Sequence, residues 1–125
     1  MNEKKKIVIV DDDLDFAKVV KMRLESVGYK VSIALDTYLG MRDIVKNEPD
    51  LVILDLLMPA GGGLTLLERI RSNPSTVTVP VVILTGKEID EEIRTKAETY
   101  DVVELFQKPY DPAEFVDKIM GFVPA

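Results

Sequence analysis

Five short apolar runs, Ile7–Val10, Val31–Ala34, Leu51–Leu54, Val81–Leu84 and Val102–Phe106, recur along the chain, and the segments between them carry apolar residues at helical spacing. Strand-length runs that alternate with amphipathic helices bury their apolar faces together as βαβ units on a parallel sheet. With 125 residues, 46% of them hydrophobic, the chain has material for one such domain and too little for two. The expectation is a single domain over residues 1–125 with its core at about 6–123.

The helical segments can be placed individually. Leu14, Ala17, Val20, Leu24 and Val27 follow steps of three and four, and Gly28 stands where a left-handed C-cap ends that helix. A second helix is predicted from Thr37 to Asn47 with Asp36 as N-cap, and a third through Leu64, Leu67 and Ile70, closed by Ser72-Asn73-Pro74. The fourth, Glu88 to Thr99, has only Ile89, Ile93 and Ala97 as an apolar stripe. The fifth opens with Asp111-Pro112-Ala113-Glu114, a proline at the first helical position after an acidic cap, and should turn Phe115, Val116, Ile119 and Met120 inward. The second strand alternates polar and apolar residues, which suits an edge. The first, third and fourth are apolar throughout, as strands covered on both faces are. The first strand is therefore expected between the second and third.

The polar residues that end these strands matter most for function. Ile7–Val10 runs into Asp11-Asp12-Asp13 and Leu51–Leu54 into Asp55, while the fourth strand ends in Thr85-Gly86 and the fifth in Lys108-Pro109. In an open parallel sheet the C-terminal strand ends share one edge, where ligands bind. Ionised carboxylates about 5 Å apart repel by roughly 3 kcal/mol per pair at an effective dielectric near 20. Either one acid is held protonated or a cation joins them, and an all-oxygen donor set selects a hard ion such as Mg²⁺. Asp13 or Asp15 is expected simply to cap the first helix.

Composition narrows the chemistry further. The chain has no His and no Cys, which removes imidazole bases, thiol nucleophiles, disulfides and thiolate zinc sites. Carboxylates, hydroxyls, amines and backbone remain, and the acid cluster favours a carboxylate as covalent acceptor of a phosphoryl group, with Thr85 donating a hydrogen bond and Lys108 offsetting charge. A net charge of −6, with Lys4-Lys5-Lys6 as the one basic cluster, argues against a nucleic-acid surface. No apolar stretch approaches the roughly 20 residues of a membrane span, and no signal-peptide pattern precedes Ile7, so a cytoplasmic location is the expectation.

Taken together, Ile7-Val8-Ile9-Val10-Asp11-Asp12, Pro49-Asp50-Leu51-Val52-Ile53-Leu54-Asp55 with Met58-Pro59, Pro80-Val81-Val82-Ile83-Leu84-Thr85-Gly86, and Lys108-Pro109 resemble a receiver domain of two-component signalling, from about Lys6 to Val123. The resemblance implies an α/β, flavodoxin-like fold with a five-stranded parallel sheet of order 2-1-3-4-5 and helices on both faces. It implies that Asp55 accepts a phosphoryl group from a phosphohistidine of a histidine kinase or phosphotransfer protein. Asp11, Asp12, Asp55 and the Leu57 carbonyl would hold Mg²⁺, Thr85 and Lys108 would contact the phosphoryl group, and Lys108-Pro109 would be a cis bond. Such a protein is no enzyme beyond catalysing its own phosphorylation and dephosphorylation. It signals to a downstream protein target through the helix-four, strand-five, helix-five face, as a monomer or a phosphorylation-dependent dimer.

Three positions depart from the family pattern. Leu105 stands where receivers carry the aromatic residue that switches together with Thr85, and Phe106 beside it must point to the opposite sheet face. The Ala60-Gly61-Gly62-Gly63 loop is rich in glycine and expected to be mobile beside the metal site. Leu57 is apolar where a polar side chain often faces the attacking water. Two rivals remain. One is a pseudo-receiver, an interaction module without phosphoryl turnover; the other is a haloacid-dehalogenase-type phosphatase using Asp11 as nucleophile.

Overall fold

The computed structural model describes residues 3–58, 62–108 and 110–125. Its elements run β1 (Lys6–Val10), α1 (Leu14–Ser26), β2 (Lys30–Ala34), α2 (Thr37–Asn47), β3 (Leu51–Leu54), α3 (Gly62–Ser72), β4 (Val81–Thr85), α4 (Glu91–Thr99), β5 (Glu104–Gln107) and α5 (Pro112–Phe122). All strand pairings are parallel, in the order β2-β1-β3-β4-β5. This is the predicted topology, with β2 at an edge and β1 between β2 and β3.

The period of two along each strand divides the core into two layers. Ile7, Ile9, Leu51, Ile53, Val82 and Leu84 pack with Ala17, Val20 and Leu24 of α1 and Phe115, Val116 and Ile119 of α5. Val8, Val10, Val52, Leu54, Val81 and Ile83 face the other way, against Ile44 of α2, Leu66, Leu67 and Ile70 of α3 and Ile93 of α4. The three central strands are thus buried on both sides, which is why they read as unbroken apolar runs. Leu66, outside the predicted stripe, is fully buried, and Leu64 is half-buried.

Side-chain caps set where helices begin. Asp36 accepts from Leu39 N at 2.7 Å, and Asp111 accepts from Ala113 N at 2.9 Å. The fourth helix starts later than predicted, because Asp90 accepts from Ile93 N at 2.9 Å and leaves Ile89 to pack on the core from the preceding loop. α1 ends at Gly28, φ 110°, with Gly28 N donating to Glu25 O and Tyr29 N to Leu24 O. α4 ends in the same Schellman geometry with Asp101 at φ 53° and Val102 N donating to Ala97 O. That motif takes Val102 and Val103 out of the predicted fifth strand, which begins at Glu104. In α5 the buried stripe passes from Phe115 and Ile119 to Val123, so Met120, expected inward, is 37% exposed.

Two long-range polar ties close the molecule. The buried Tyr29 hydroxyl donates to the Val123 carbonyl, joining the α1–β2 turn to the end of the chain. Burial raises that phenol above its usual pKa. Arg71, near the end of α3, donates to the carbonyls of Tyr100 (2.7 Å), Val79 (2.6 Å), Val77 (3.1 Å) and Asp101 (3.4 Å), pinning the α3–β4 loop and the end of α4 together. Burial pulls its guanidinium below the usual value, with Asp101 opposing. Among the described residues no helix is long and apolar enough to cross a membrane.

Candidate functional site

The sheet's own ladder delivers the polar residues to one edge. Asp11 N donates to Ala34 O at 3.1 Å, Asp55 N to Val10 O at 3.0 Å and Lys108 N to Thr85 O at 2.7 Å. Each of these bonds carries the pairing one residue past the end of a strand, Val10, Leu54 or Gln107. Asp11, Asp55 and Lys108 therefore inherit the sheet's spacing, while Thr85 is the last residue of β4 and is fully buried.

Asp11, Asp12 and Asp55 each offer an oxygen such that all three atoms lie within 4.8 Å of one another. Asp11 and Asp55 are buried and Asp12 is exposed, so the cluster opens to solvent on the Asp12 side. Lys108 Nζ donates to Asp11 Oδ2 at 2.8 Å and to Asp55 Oδ2 at 3.4 Å. The remaining oxygens are held by backbone: Asp13 N donates to Asp11 Oδ1 and Leu57 N to Asp55 Oδ1, both at 3.0 Å. Three acids against one lysine leave a local excess of negative charge, and the donor set is oxygen only. Such a cluster fits a hard divalent cation.

Burial pushes the Asp11 carboxyl up to about 6, although the bonds from Lys108 and the Asp13 amide pull it down; the charge of Asp55 adds to the rise. Burial also works against the charged Lys108, but the hydrogen bond and charge of Asp11, with those of Asp55, prevail and raise it above the usual lysine value. The ion pair thus acts oppositely on its two partners: it drives the rise of Lys108 against burial, and it restrains the rise that burial imposes on Asp11.

The remaining predicted residues fall around this cluster. Asp13 is the N-cap of α1, accepting from Phe16 N at 3.1 Å, and Asp15 lies in the first turn. Thr85 Oγ1 accepts from Lys87 N at 3.2 Å. The Leu57 side chain is 51% exposed, and its Cδ1 would sit 3.8 Å from a Cβ at Gly86. Leu105 is half-buried against the α2, α3 and α4 layer. Phe106 is buried on the other face, edge-on to Tyr110 (centroids 5.1 Å) and Phe115 (5.0 Å). The two are thus on opposite faces, as the period-two argument requires.

Gly62 and Gly63 differ from expectation. They are buried residues of the first turn of α3, and a Cβ at Gly63 would lie 2.3 Å from the Asp55 carbonyl oxygen and 2.8 Å from Leu56 Cα. Close backbone approach, rather than loop mobility, explains that glycine. Ala60, Gly61 and the Lys108-Pro109 bond, for which a cis form was expected, involve positions outside the described residues.

One neighbour escaped the sequence reading. The Phe16 ring lies 4.3 Å from Lys108 Nζ, centroid to nitrogen. Its place in the first turn behind the Asp13 cap was the available signal.

Residues 7–120 match the family model for the response regulator receiver domain. The DNA-binding dual master transcriptional regulator RpaA of Synechocystis sp. is 33% identical over 94% of this chain and 48% of its own length. The phosphate regulon transcriptional regulatory protein PhoB of Pseudomonas aeruginosa is 30% identical over 92% of this chain and 50% of its own. The chain thus spans about half the length of these curated relatives. Among solved structures, a CheY-like response regulator receiver domain protein of Methanospirillum hungatei JF-1 superposes with a TM-score of 0.87 at 27% identity, covering 96% of this chain and 94% of that one. A two-component response regulator of Clostridium difficile gives 0.86 at 27% identity, covering 96% of each.

Proposed function

The chain belongs to the response regulator receiver family, and from that premise we propose that it is a phosphoryl-accepting signalling switch with Asp55 as acceptor. The donor would be a phosphohistidine on a histidine kinase or phosphotransfer protein. An Asp55 carboxylate oxygen attacks phosphorus, the P–N bond breaks, and its electron pair stays on the donor imidazole.

One observation favours Asp55 over Asp11. Both Asp11 oxygens are engaged at hydrogen-bond distance, by Lys108 and by the Asp13 amide, and its carboxyl is pushed up to about 6. Asp55 Oδ1 accepts from the Leu57 amide at 3.0 Å, but among the described residues its Oδ2 has only the long 3.4 Å contact with Lys108. That oxygen is the less encumbered nucleophile, which weighs against the phosphatase reading built on Asp11.

Asp11, Asp12, Asp55 and the Leu57 carbonyl would hold Mg²⁺, which when bound offsets the negative charge of the acids and of the incoming group. Lys108 would pair with the phosphoryl oxygens, giving up part of its contact with Asp11. Thr85 would turn its hydroxyl from accepting at Lys87 N to donating to the phosphoryl group. The α4, β5 and α5 face, with Leu105, would pass the change to a downstream protein target as a population shift.

Intact mass after incubation with Mg²⁺ and acetyl phosphate tests the assignment. One phosphoryl adduct mapped to Asp55 and absent in Asp55→Asn is expected. An adduct on Asp11 would restore the phosphatase reading, and a native chain that takes up none would favour an interaction module without turnover.

A further inference from the structure

The Phe16 ring beside Lys108 has a place in the site that the acid cluster does not account for. Phe16 is half-buried against the α1 and α5 layer. Its backbone N donates to Asp13 Oδ1 at 3.1 Å, and Asp13 N donates to Asp11 Oδ1 at 3.0 Å. Asp11 Oδ2 in turn accepts from Lys108, whose Nζ stands over the Phe16 ring. The contacts close a loop: ring, Asp13, Asp11, Lys108, ring. Every member but Lys108 lies between the end of β1 and the first turn of α1.

A lysine with two acceptors at 2.8 Å and 3.4 Å would settle on the nearer one if nothing else held it. The negative π face of an aromatic ring attracts an ammonium without competing for its N–H donors. An aliphatic side chain in the same place would exclude water and give no attraction in return. The chain therefore has, on the third side of the ammonium, a surface that favours the charged group in that position.

We propose that Phe16 is a positioning residue for Lys108, holding its ammonium between Asp11 and Asp55 so that it already stands beside the acceptor oxygen when the phosphoryl group arrives. The catalytic consequence rests on the reading of Asp55 as acceptor and Lys108 as its counter-ion. The placement itself does not.

The test uses Phe16→Leu, Phe16→Tyr and phenylalanines of increasing fluorination at position 16, which drain the π face while nearly keeping the ring's shape. With Mg²⁺ and acetyl phosphate, the initial rate of Asp55 labelling should fall about three- to tenfold in Phe16→Leu and stay within about twofold in Phe16→Tyr. It should fall stepwise along the fluorinated series. In the unphosphorylated protein, NMR should find the Lys108 ε-methylene protons upfield of those of the other lysines through the ring current, and Phe16→Leu should abolish the displacement. Equal rates across the fluorinated series would reduce the ring to packing and overturn the proposal, as would an undisplaced Lys108 resonance. A native chain that takes up no phosphoryl group would sink the acceptor reading and the rate effect with it, leaving the NMR result to decide the placement.

Discussion

Adding one methyl group at Gly63 is expected to break the joint on which the site rests. Gly63 N donates to Leu56 O at 3.3 Å, so the first turn of α3 is pressed on the backbone that follows β3. An alanine Cβ would stand 2.3 Å from Asp55 O, where ordinary contact begins at 3.4 Å; the gap must open by 3.4 − 2.3 = 1.1 Å, and the colliding atoms are all backbone. Overpacking in a well-filled core costs about 1–3 kcal/mol, and rigid neighbours put this case at the upper end. Against a total stability of about 5–15 kcal/mol for a domain, a loss near 3 kcal/mol lowers the melting temperature by roughly 10 °C. The shift also displaces Asp55 relative to Asp11, so phosphoryl uptake should drop more than stability alone requires. Urea denaturation followed by circular dichroism, with Asp55 labelling at a temperature where the variant is folded, measures both. Gly121→Ala in α5 is the control, since nothing lies within 4 Å of its Cβ; it should be neutral or stabilising by up to about 1 kcal/mol. Gly63→Ala with native stability and native labelling would refute the steric argument.

Because the folded Asp11 carboxyl titrates at about 6 against an ordinary 3.8, the folded chain binds the extra proton between those values. The metal-free domain should therefore lose stability as pH rises from about 4 to about 6, by on the order of 3 kcal/mol at most, and denaturation across that range should find the slope flattened in Asp11→Asn. Arg71→Met strips four carbonyls of their donor and should cost about 2–4 kcal/mol, read as a lowered urea midpoint, with Asp55 labelling retained below it. Leu57→Asn should shorten the lifetime of the aspartyl phosphate by placing a polar group at the mouth of the site, measured by decay of the mass adduct; an unchanged lifetime would count against that role.

The central place of β1 and the identity of the acids were legible because each depends on a local signal, whereas the full strand order came with the resemblance to receiver domains. Ile7–Val10 and Leu51–Leu54 are apolar at every position, which only burial on both faces explains, and Asp11 and Asp55 follow directly. The starts of α4 and of the fifth strand differ from the periodic pattern for an equally local reason. Asp90 competes for the amide of Ile93, and Asp101 takes a left-handed conformation more familiar from glycine, so hydrophobic pattern gave way to capping. Met120 failed because a periodic stripe does not say how far the covering surface extends.

The sequence by itself determined the layer structure, the central strands and the set of acids that the sheet edge would gather, since periodicity and the absence of His and Cys are properties of the chain. Only the tertiary structure decided that Gly63 is a contact rather than a hinge and that Asp11 is more encumbered than Asp55. It alone placed Phe16 over Lys108. Those facts depend on distances between segments far apart in the chain, 53 residues in the case of Asp55 and Lys108, and packing fixes such distances where local pattern does not.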